Sequence, residues 1–320
     1  MRHPLRVVLA ATLLLIAACG DDATTTTQAT TTTAAPTTSA GALTIVGDDG
    51  VSSEITDTSR IVSLSGDLTE ILYALGYGDR VVAIDVTTTF PDEATNLPSV
   101  GFAQALAPEP VLAFTPTLVL ANELTGPADA ITQIRDSGVP VVVLNEGGSF
   151  DAVGHKIRTI AQIVGATDAG EALATQVEGE IQAAVDLAAT ADTTPRVAFI
   201  YTRGPQLMLL FGLGMGTNPM IEGANAVDVG AESGVMGAVP LSAEALIAAA
   251  PDVIVLPQSG LEALGGVDAL LTASPGLSET PAGTNGAFLA YDEAYFFNLG
   301  PRVGQALMEF VLDLHPELVG

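Results

Sequence analysis

The chain has little of the residues that carry most enzyme chemistry. Its 320 residues include one cysteine, three histidines and no tryptophan. A lone cysteine cannot form an internal disulfide, and neither a nucleophile beside a base nor a cluster with metal-ligand spacing is visible. We therefore expect no enzyme and no catalytic cofactor, and the scarcity of histidine argues against a protein that captures zinc or manganese ions.

Basic residues are also scarce. The sequence has 10 Lys and Arg residues against 37 Asp and Glu residues, for a net charge of −27. So few cations could not neutralise a phosphate backbone, and this excludes nucleic acid as a partner. Most of the acidic residues are explained by solubility.

The N-terminus has the pattern of a secretory signal. Arg2 and Arg6 precede VVLAATLLLIAA, an apolar run of about a dozen residues that is too short to span a bilayer. The run ends directly before Cys19, the only cysteine, which resembles the lipobox of bacterial lipoproteins. We expect a lipoprotein signal peptide over residues 1–18 and lipidation of Cys19; the alternative is an ordinary signal peptide with an unrelated cysteine. Loss of Arg2 and Arg6 leaves 8 of 10 basic residues against 37 acidic ones, a net charge near −29.

The rest of the chain divides by composition. Residues 19–42 are rich in Thr and Ala and lack apolar bulk, which predicts a disordered tether. The length that remains suits two lobes. We predict an N-terminal α/β lobe over 43–152, linking helices over 153–190 and a C-terminal α/β lobe over 191–320.

Short apolar runs alternate with helical patterns on both sides of one long helical stretch. RIVSL, RVVAID, TLVLAN and VPVVVLN come before it, and RVAFIY, DVIVLP and AFLAY follow it. Continuous apolar strands joined by helices predict parallel strands that are buried on both faces. The pattern of residues 150–189 predicts helix with a break at 165–168. The second helix, of about 20 residues, would span roughly 30 Å. This predicts an α/β fold of two Rossmann-like lobes with parallel sheets, joined by one long helix.

One segment occurs twice. LAPEPVLAFTPTLVLAN at 106–122 and PLSAEALIAAAPDVIVL at 240–256 align when shifted by 135 residues, which places Pro116 on Pro251 and Glu109 on Glu244. Each copy predicts a short helix that carries a glutamate, then a proline and a buried strand. Elsewhere, the spacing of Asp67 and Glu70 predicts a capping box.

The order of these motifs resembles the substrate-binding lipoproteins of ABC importers for haem, cobalamin and ferric siderophores. The most specific pieces are RIVSLSGDLTEILYALGYGDRVVAID, the FP at 90–91 with LPSVGF, and LSAEALIAAAPDVIVL, with IEGANAVD and LGPRVGQAL in support. The resemblance implies the class III periplasmic-binding-protein fold, a rigid linking helix and a shallow cleft between the lobes. It also implies a monomer anchored by lipid outside the cytoplasmic membrane, which delivers its ligand to a permease dimer with ATPase subunits.

The resemblance gives the repeated glutamate a role. In this family a glutamate on the tip of each lobe docks onto arginines of the permease, and by position these are Glu109 and Glu244. The alternative is that each carboxylate only stabilises a helix N-terminus, by ~0.3–1 kcal/mol.

The match is closest to haem-binding members, in which a tyrosine after LP-x-x-G commonly ligates the iron. Phe102 stands at that place, and the other nearby candidate position is Phe90. A phenyl ring cannot ligate iron, but it offers a flat apolar surface for a macrocycle. Gln104 stands where a basic residue is often found. The resemblance therefore predicts Phe102 and Gln104 in the cleft, without the family's iron ligand.

The second lobe supplies the remaining cleft candidates. Arg203 would suit a ligand carboxylate, or it pairs with an acidic neighbour for structural reasons. Met208 and Met215 are candidate axial ligands of haem iron, although methionine more often serves as packing. Tyr201 and Tyr295 are the remaining oxygen donors. We expect haem as the transported ligand, with cobalamin or a ferric siderophore as the main alternative and a metal-ion-binding lipoprotein as a remoter one.

Overall fold

The computed structural model describes residues 42–145 and 148–319. Residues 1–41 fall outside these ranges, and with them the predicted signal peptide, Cys19 and nearly all of the predicted tether. The described residues all belong to one compact unit. None of their helices is both long enough and apolar enough to cross a bilayer.

The N-terminal lobe is built around a parallel sheet. A hairpin, β1 (Leu43–Val46) and β2 (Ser52–Ile55), precedes four further strands: β3 (Ile61–Ser63), β4 (Val81–Ile84), β5 (Leu118–Asn122) and β6 (Val141–Leu144). The connecting helices are α1 (Gly66–Ala74), α2 (Pro108–Leu112) and α3 (Ala128–Asp136). The strand order is β4-β3-β5-β6, all parallel. Every residue of β3, β5 and β6 is buried, as their continuous apolar sequences predict.

Two helices link the lobes, α4 (Asp151–Val164) and α5 (Thr167–Ala188). Gly165 ends α4 with a φ of 78°, which is the left-handed conformation that favours glycine. At 22 residues, α5 is about 33 Å long. A side chain at Gly170 of α5 would overlap Ala161 of α4, so these two helices pack at backbone distance.

The C-terminal lobe contains a six-stranded sheet and eight helices within the described residues. The strands are β7 (Arg196–Thr202), β8 (Met208–Phe211), β9 (Val227–Asp228), β10 (Ala238–Pro240), β11 (Val253–Pro257) and β12 (Phe288–Tyr291). The helices are α6 (Thr217–Gly223), α7 (Val229–Glu232), α8 (Ala243–Ala249), α9 (Gln258–Leu264), α10 (Val267–Ala273), α11 (Pro281–Asn285), α12 (Glu293–Phe296) and α13 (Val303–Leu314). Gly304 of α13 lies so close to Glu180 that a side chain there would overlap α5, so α5 packs against the C-terminal lobe.

The second sheet is mixed, whereas the sequence predicted parallel strands alone. Its order is β10-β8-β7-β11-β12, with β9 also paired to β7, and β8 runs antiparallel to both of its neighbours. Gly204, with a φ of 97°, allows the chain to turn back directly after β7. Because glycines flank β8 on both sides, the pattern of apolar residues did not predict this short strand. The parallel strands β7, β11 and β12 confirm the Rossmann-like core of this lobe.

The sequence repeat is a structural repeat. The two strands that follow the prolines, β5 and β11, begin and end at positions 135 residues apart. Thr115 and Ala250, which precede Pro116 and Pro251, have φ values of 46° and 47°. Such positive values are uncommon for residues other than glycine, so the two segments share an unusual backbone bend as well as their sequence.

The capping box predicted for Asp67 and Glu70 is wrong. Ser65 is the N-cap of α1 and makes no side-chain capping bond. Both carboxylates are buried instead and pair with distant cations: Asp67 lies 2.5 Å from Nζ of Lys156, and Glu70 accepts bonds of 2.8 and 3.0 Å from Arg302. A buried carboxylate needs such a partner, and local spacing cannot reveal one so far away in the chain.

Candidate functional site

A cleft of about 610 Å³ lies between the two sheets. Its walls come from the carboxyl ends of parallel strands, with Ser65 after β3, Asp85 after β4, Asn122 at the end of β5 and Tyr201 near the end of β7. Ligands of open α/β sheets bind outside these strand ends, and the volume suits a small molecule. The cleft is therefore the candidate ligand site.

The N-terminal wall of the cleft is broadly apolar. Phe102 exposes 48% of its surface, Val86 54% and Leu124 40%, and all three line the cleft. Leu207, 40% exposed, faces them from the other lobe. Large apolar side chains that stay half-exposed around one concave site indicate a ligand with an apolar surface.

The C-terminal wall carries a hydrogen-bonded polar group. Arg203 donates from Nε to the Tyr201 hydroxyl at 2.7 Å and from Nη2 to Oε2 of Glu293 at 2.9 Å. The Tyr201 ring is stacked on Phe211, with centroids 5.4 Å apart. Burial raises the pKa of Glu293, and the Arg203 charge opposes this shift. The arrangement fixes the phenol oxygen of Tyr201 in the cleft beside a cation.

The structure brings most of the predicted cleft residues together, but not all. Phe102, Gln104, Tyr201, Arg203 and Met215 line the cleft. Two others are absent from the described lining. Met208 starts β8 and packs against the core of the C-terminal lobe, and Tyr295 lies 5.1 Å from the Arg302 guanidinium.

Asp85 is a cleft residue that the sequence reasoning missed. It is 1% exposed, and its Oδ1 accepts hydrogen bonds from the hydroxyls of Thr87 at 2.7 Å and Thr88 at 3.5 Å. No hydrogen-bond partner reaches Oδ2 from the part of the chain that the structure describes. Burial raises the pKa of Asp85 to about 6, although hydrogen bonds from Thr87 oppose the rise.

The missed residues share a position that could have revealed them. Asp85 follows β4, Asn122 ends β5, and Glu293 comes two residues after β12. Polar side chains at the carboxyl ends of parallel strands are the usual donors to an α/β ligand site. Strand ends in the sequence were therefore a better guide than the spacing of histidines or methionines.

The two repeated glutamates lie at corresponding places on the two lobes. Glu109 is in the first turn of α2 and Glu244 in the first turn of α8, and both are exposed. In the sequence, α2 begins shortly after Gln104 and α8 shortly after Ala238, and both of these residues line the cleft. Neither glutamate forms an ion pair with any described residue.

Within the described ranges, no three His, Cys, Asp or Glu residues lie close enough together to hold a metal ion.

Known proteins resemble the chain along most of its length. The model of a periplasmic binding protein family matches residues 61–295. The uncharacterized ABC transporter substrate-binding lipoprotein YvrC of Bacillus subtilis is 28% identical over 276 residues, which is 84% of this chain and 85% of that protein. The vitamin B12-binding protein of Vibrio parahaemolyticus is 30% identical over 142 residues, or 44% of this chain and 50% of that protein.

A solved structure is similar over most of the chain. The periplasmic heme-binding protein RhuT from Roseiflexus sp. RS-1, in its apo form, has 42% sequence identity and a TM-score of 0.78. The match covers 82% of this chain and 100% of that chain.

Proposed function

Because the chain belongs to the periplasmic binding protein family and is a substrate-binding protein of an ABC importer, we propose that it captures haem and delivers it to the membrane permease. The observation that carries the ligand assignment is the Tyr201 phenol, which Arg203 holds at 2.7 Å opposite a broad apolar wall. A haem offers a flat apolar macrocycle for that wall and an iron for that oxygen. The similarity to RhuT supports the same ligand.

Tyr201 is the proposed iron ligand. A tyrosine oxygen is a known axial ligand of haem iron, and it binds as a phenolate. A charge-assisted hydrogen bond from Arg203 suits an oxygen that carries negative charge. The ligand then comes from the C-terminal wall, and Phe102 on the N-terminal wall stacks on the macrocycle. Met215 lines the same cleft and is the alternative ligand.

Titration of the purified protein with hemin tests both the ligand and the residue. The wild-type protein should shift the Soret band, and Tyr201→Phe should weaken hemin binding at least tenfold, which is about 1.4 kcal/mol, because the iron–oxygen bond is lost while the apolar contacts remain. The visible spectrum of the bound haem should change as well. Met215→Leu is the matched control and should leave the spectrum unchanged.

Two outcomes of that titration would contradict the assignment. A changed spectrum in Met215→Leu with an unchanged one in Tyr201→Phe would make Met215 the ligand. No spectral change with hemin at micromolar concentrations would remove haem as the ligand, while the place in the importer would stand.

Cobalamin is the second candidate, and the charge of the cleft favours it. Among the described residues that line the cleft, two are acidic, Asp85 and Glu293, and one is a cation, Arg203. The amide side chains of cobalamin donate hydrogen bonds that carboxylates accept, whereas haem brings carboxylates of its own. Parallel titrations with cyanocobalamin and with ferric siderophores decide between these ligands, since only haem produces a Soret response.

Docking of the loaded protein is proposed to use Glu109 and Glu244. Both are exposed, both lie in the first turn of a repeated helix, and one comes from each lobe. Arginines of a permease dimer would meet one carboxylate per subunit, so the pseudo-symmetry of the repeat matches the symmetry of the partner. The helix-terminus role and the docking role are compatible, because an exposed carboxylate can serve both.

Attachment to the outer face of the cytoplasmic membrane is proposed to occur through a lipidated Cys19. The lipobox-like sequence supports it, and so does the similarity to the lipoprotein YvrC. In the same proposal residues 1–18 are removed, residues 19–42 tether the protein, and two lobes over 43–152 and 191–320 flank linking helices over 153–190. Incorporation of a labelled fatty acid, absent after Cys19→Ala, is the measurement that decides it.

A further inference from the structure

The two oxygens of the Asp85 carboxyl group have different surroundings. Oδ1 accepts hydrogen bonds from the hydroxyls of Thr87 and Thr88, so it is the oxygen that stays unprotonated. Oδ2 is buried and has no partner among residues 42–145 and 148–319. A buried polar atom without a partner costs folding free energy and calls for an explanation.

The charges around Asp85 do not neutralise it. Asp67, on the neighbouring helix α1, has the same sign and is itself paired with Lys156. Ser65 and Thr87 are neighbours with hydroxyl groups, and the Ser65 hydroxyl donates its hydrogen bond to Asp67. Within the described ranges, no Lys, Arg or His forms an ion pair with Asp85. A structural ion-pair role is therefore absent for this group.

We infer that Asp85 binds the ligand as a carboxylic acid, donating a hydrogen bond from Oδ2–H to a carboxylate of the ligand. This inference rests on the proposed function, since the propionates of haem supply the carboxylates. Arg203 can receive one propionate on the C-terminal wall. The N-terminal wall offers no described cation, so a neutral acid there adds a hydrogen-bond donor that can meet a second carboxylate. Asp85 is 1% exposed and lines the cleft, so its carboxyl group lies at the edge of the ligand site.

The sign of the pH dependence follows from this arrangement. Burial raises the pKa of Asp85 to about 6, so the protonated donor is abundant below that pH in the free protein. Above it, the ionised Asp85 would face a ligand carboxylate of the same charge, and binding must first take up a proton. Hemin affinity should therefore fall as the pH rises above 6, by at most about tenfold per pH unit for one proton.

The experiment compares hemin dissociation constants between pH 5.5 and 8 for the wild-type protein, Asp85→Asn and Asp85→Leu. Asparagine keeps an oxygen for Thr87 and places a permanent N–H donor where Oδ2 stands, whereas leucine removes both the charge and the donor. We expect Asp85→Asn to bind hemin more tightly than wild type at pH 8, by about tenfold or more. Its affinity should also vary less with pH. Asp85→Leu should bind more weakly than Asp85→Asn throughout.

Each variant is compared with the wild type at the same pH because other groups titrate in both proteins. Ligation by Tyr201 releases a proton and gives an opposite trend, which cancels in the difference between wild type and Asp85→Asn. Circular dichroism checks that each variant is folded. Hemin dimethyl ester has no carboxylate, so the wild-type protein and Asp85→Asn should bind it equally at every pH.

Different results would overturn the inference and the proposed function separately. If Asp85→Asn binds hemin with the wild-type pH profile, or more weakly at every pH, Asp85 is not a proton-bearing donor and only the inference fails. A difference between the two proteins that persists with the dimethyl ester also overturns it. If the wild-type protein binds no hemin at any pH, the proposed ligand fails and takes the inference with it.

Discussion

Reversing the charges of Glu109 and Glu244 together, with Glu109→Lys and Glu244→Lys, is expected to abolish ligand uptake by cells while ligand affinity stays unchanged. A lysine that faces a permease arginine replaces an attraction by a repulsion, and like charges across an interface cost several kcal/mol, so uptake should fall about a hundredfold or more. Each single variant should lose less, because the other lobe still docks.

The positions of the two glutamates allow the effect on uptake to be separated from any effect on ligand affinity. Both glutamates are exposed at the first turns of α2 and α8 and make no ion pair in the described part of the chain. Their replacement should therefore leave the fold and the cleft intact. Uptake of labelled ligand into cells gives the first measurement, and spectroscopic titration of the purified variant gives the second.

A control must carry the same change in charge. Glu54 on β2 and Asp186 on α5 are exposed and lie on other elements, so Glu54→Lys with Asp186→Lys changes the net charge equally. This control should transport normally if docking, rather than overall charge, decides uptake. Loss of ligand affinity in the Glu109 and Glu244 variant would place these residues in the cleft and contradict the docking proposal.

The fold was predictable where local patterns determine it. The continuous apolar strands, the break at Gly165 and each copy of the repeat, around Pro116 and around Pro251, are short local patterns, and the structure confirms all three. The antiparallel strand β8 was missed because it is only four residues long and glycines surround it. A short apolar run in such a context does not reveal its direction.

The site was less predictable because its contacts join distant parts of the chain. The family pattern pointed to Phe102, yet the phenol in the cleft is Tyr201, and the groups around it are Arg203 and Glu293. Glu293 lies 90 residues from Arg203. The burial of Asp85 and its unpartnered Oδ2 are likewise properties of the folded structure, which its neighbours in the sequence do not reveal.

The same limit applies to Asp67, whose partner is a fully buried lysine. Lys156 is 0% exposed, and its Nζ lies 2.5 Å from Oδ2 of Asp67, which is equally buried. Ser65, on the floor of the cleft, donates a hydrogen bond to Oδ1 of the same carboxylate. The pair thus joins α1 to α4 directly beneath the ligand site.

Lys156→Met is expected to lower the free energy of unfolding by about 3–5 kcal/mol, because it leaves the Asp67 charge buried without its cation. Urea denaturation followed by circular dichroism measures the loss. The double replacement Lys156→Met with Asp67→Leu should recover much of it, since an apolar pair of similar volume removes the charge that lacks a partner. Arg158→Met is the matched control: that arginine forms exposed ion pairs with Glu171 and Glu178, which solvent screens, so the replacement should cost far less. Equal losses for Lys156→Met and Arg158→Met would mean that the buried pair has no special weight in the fold, and that the floor of the cleft is held by its apolar contacts instead.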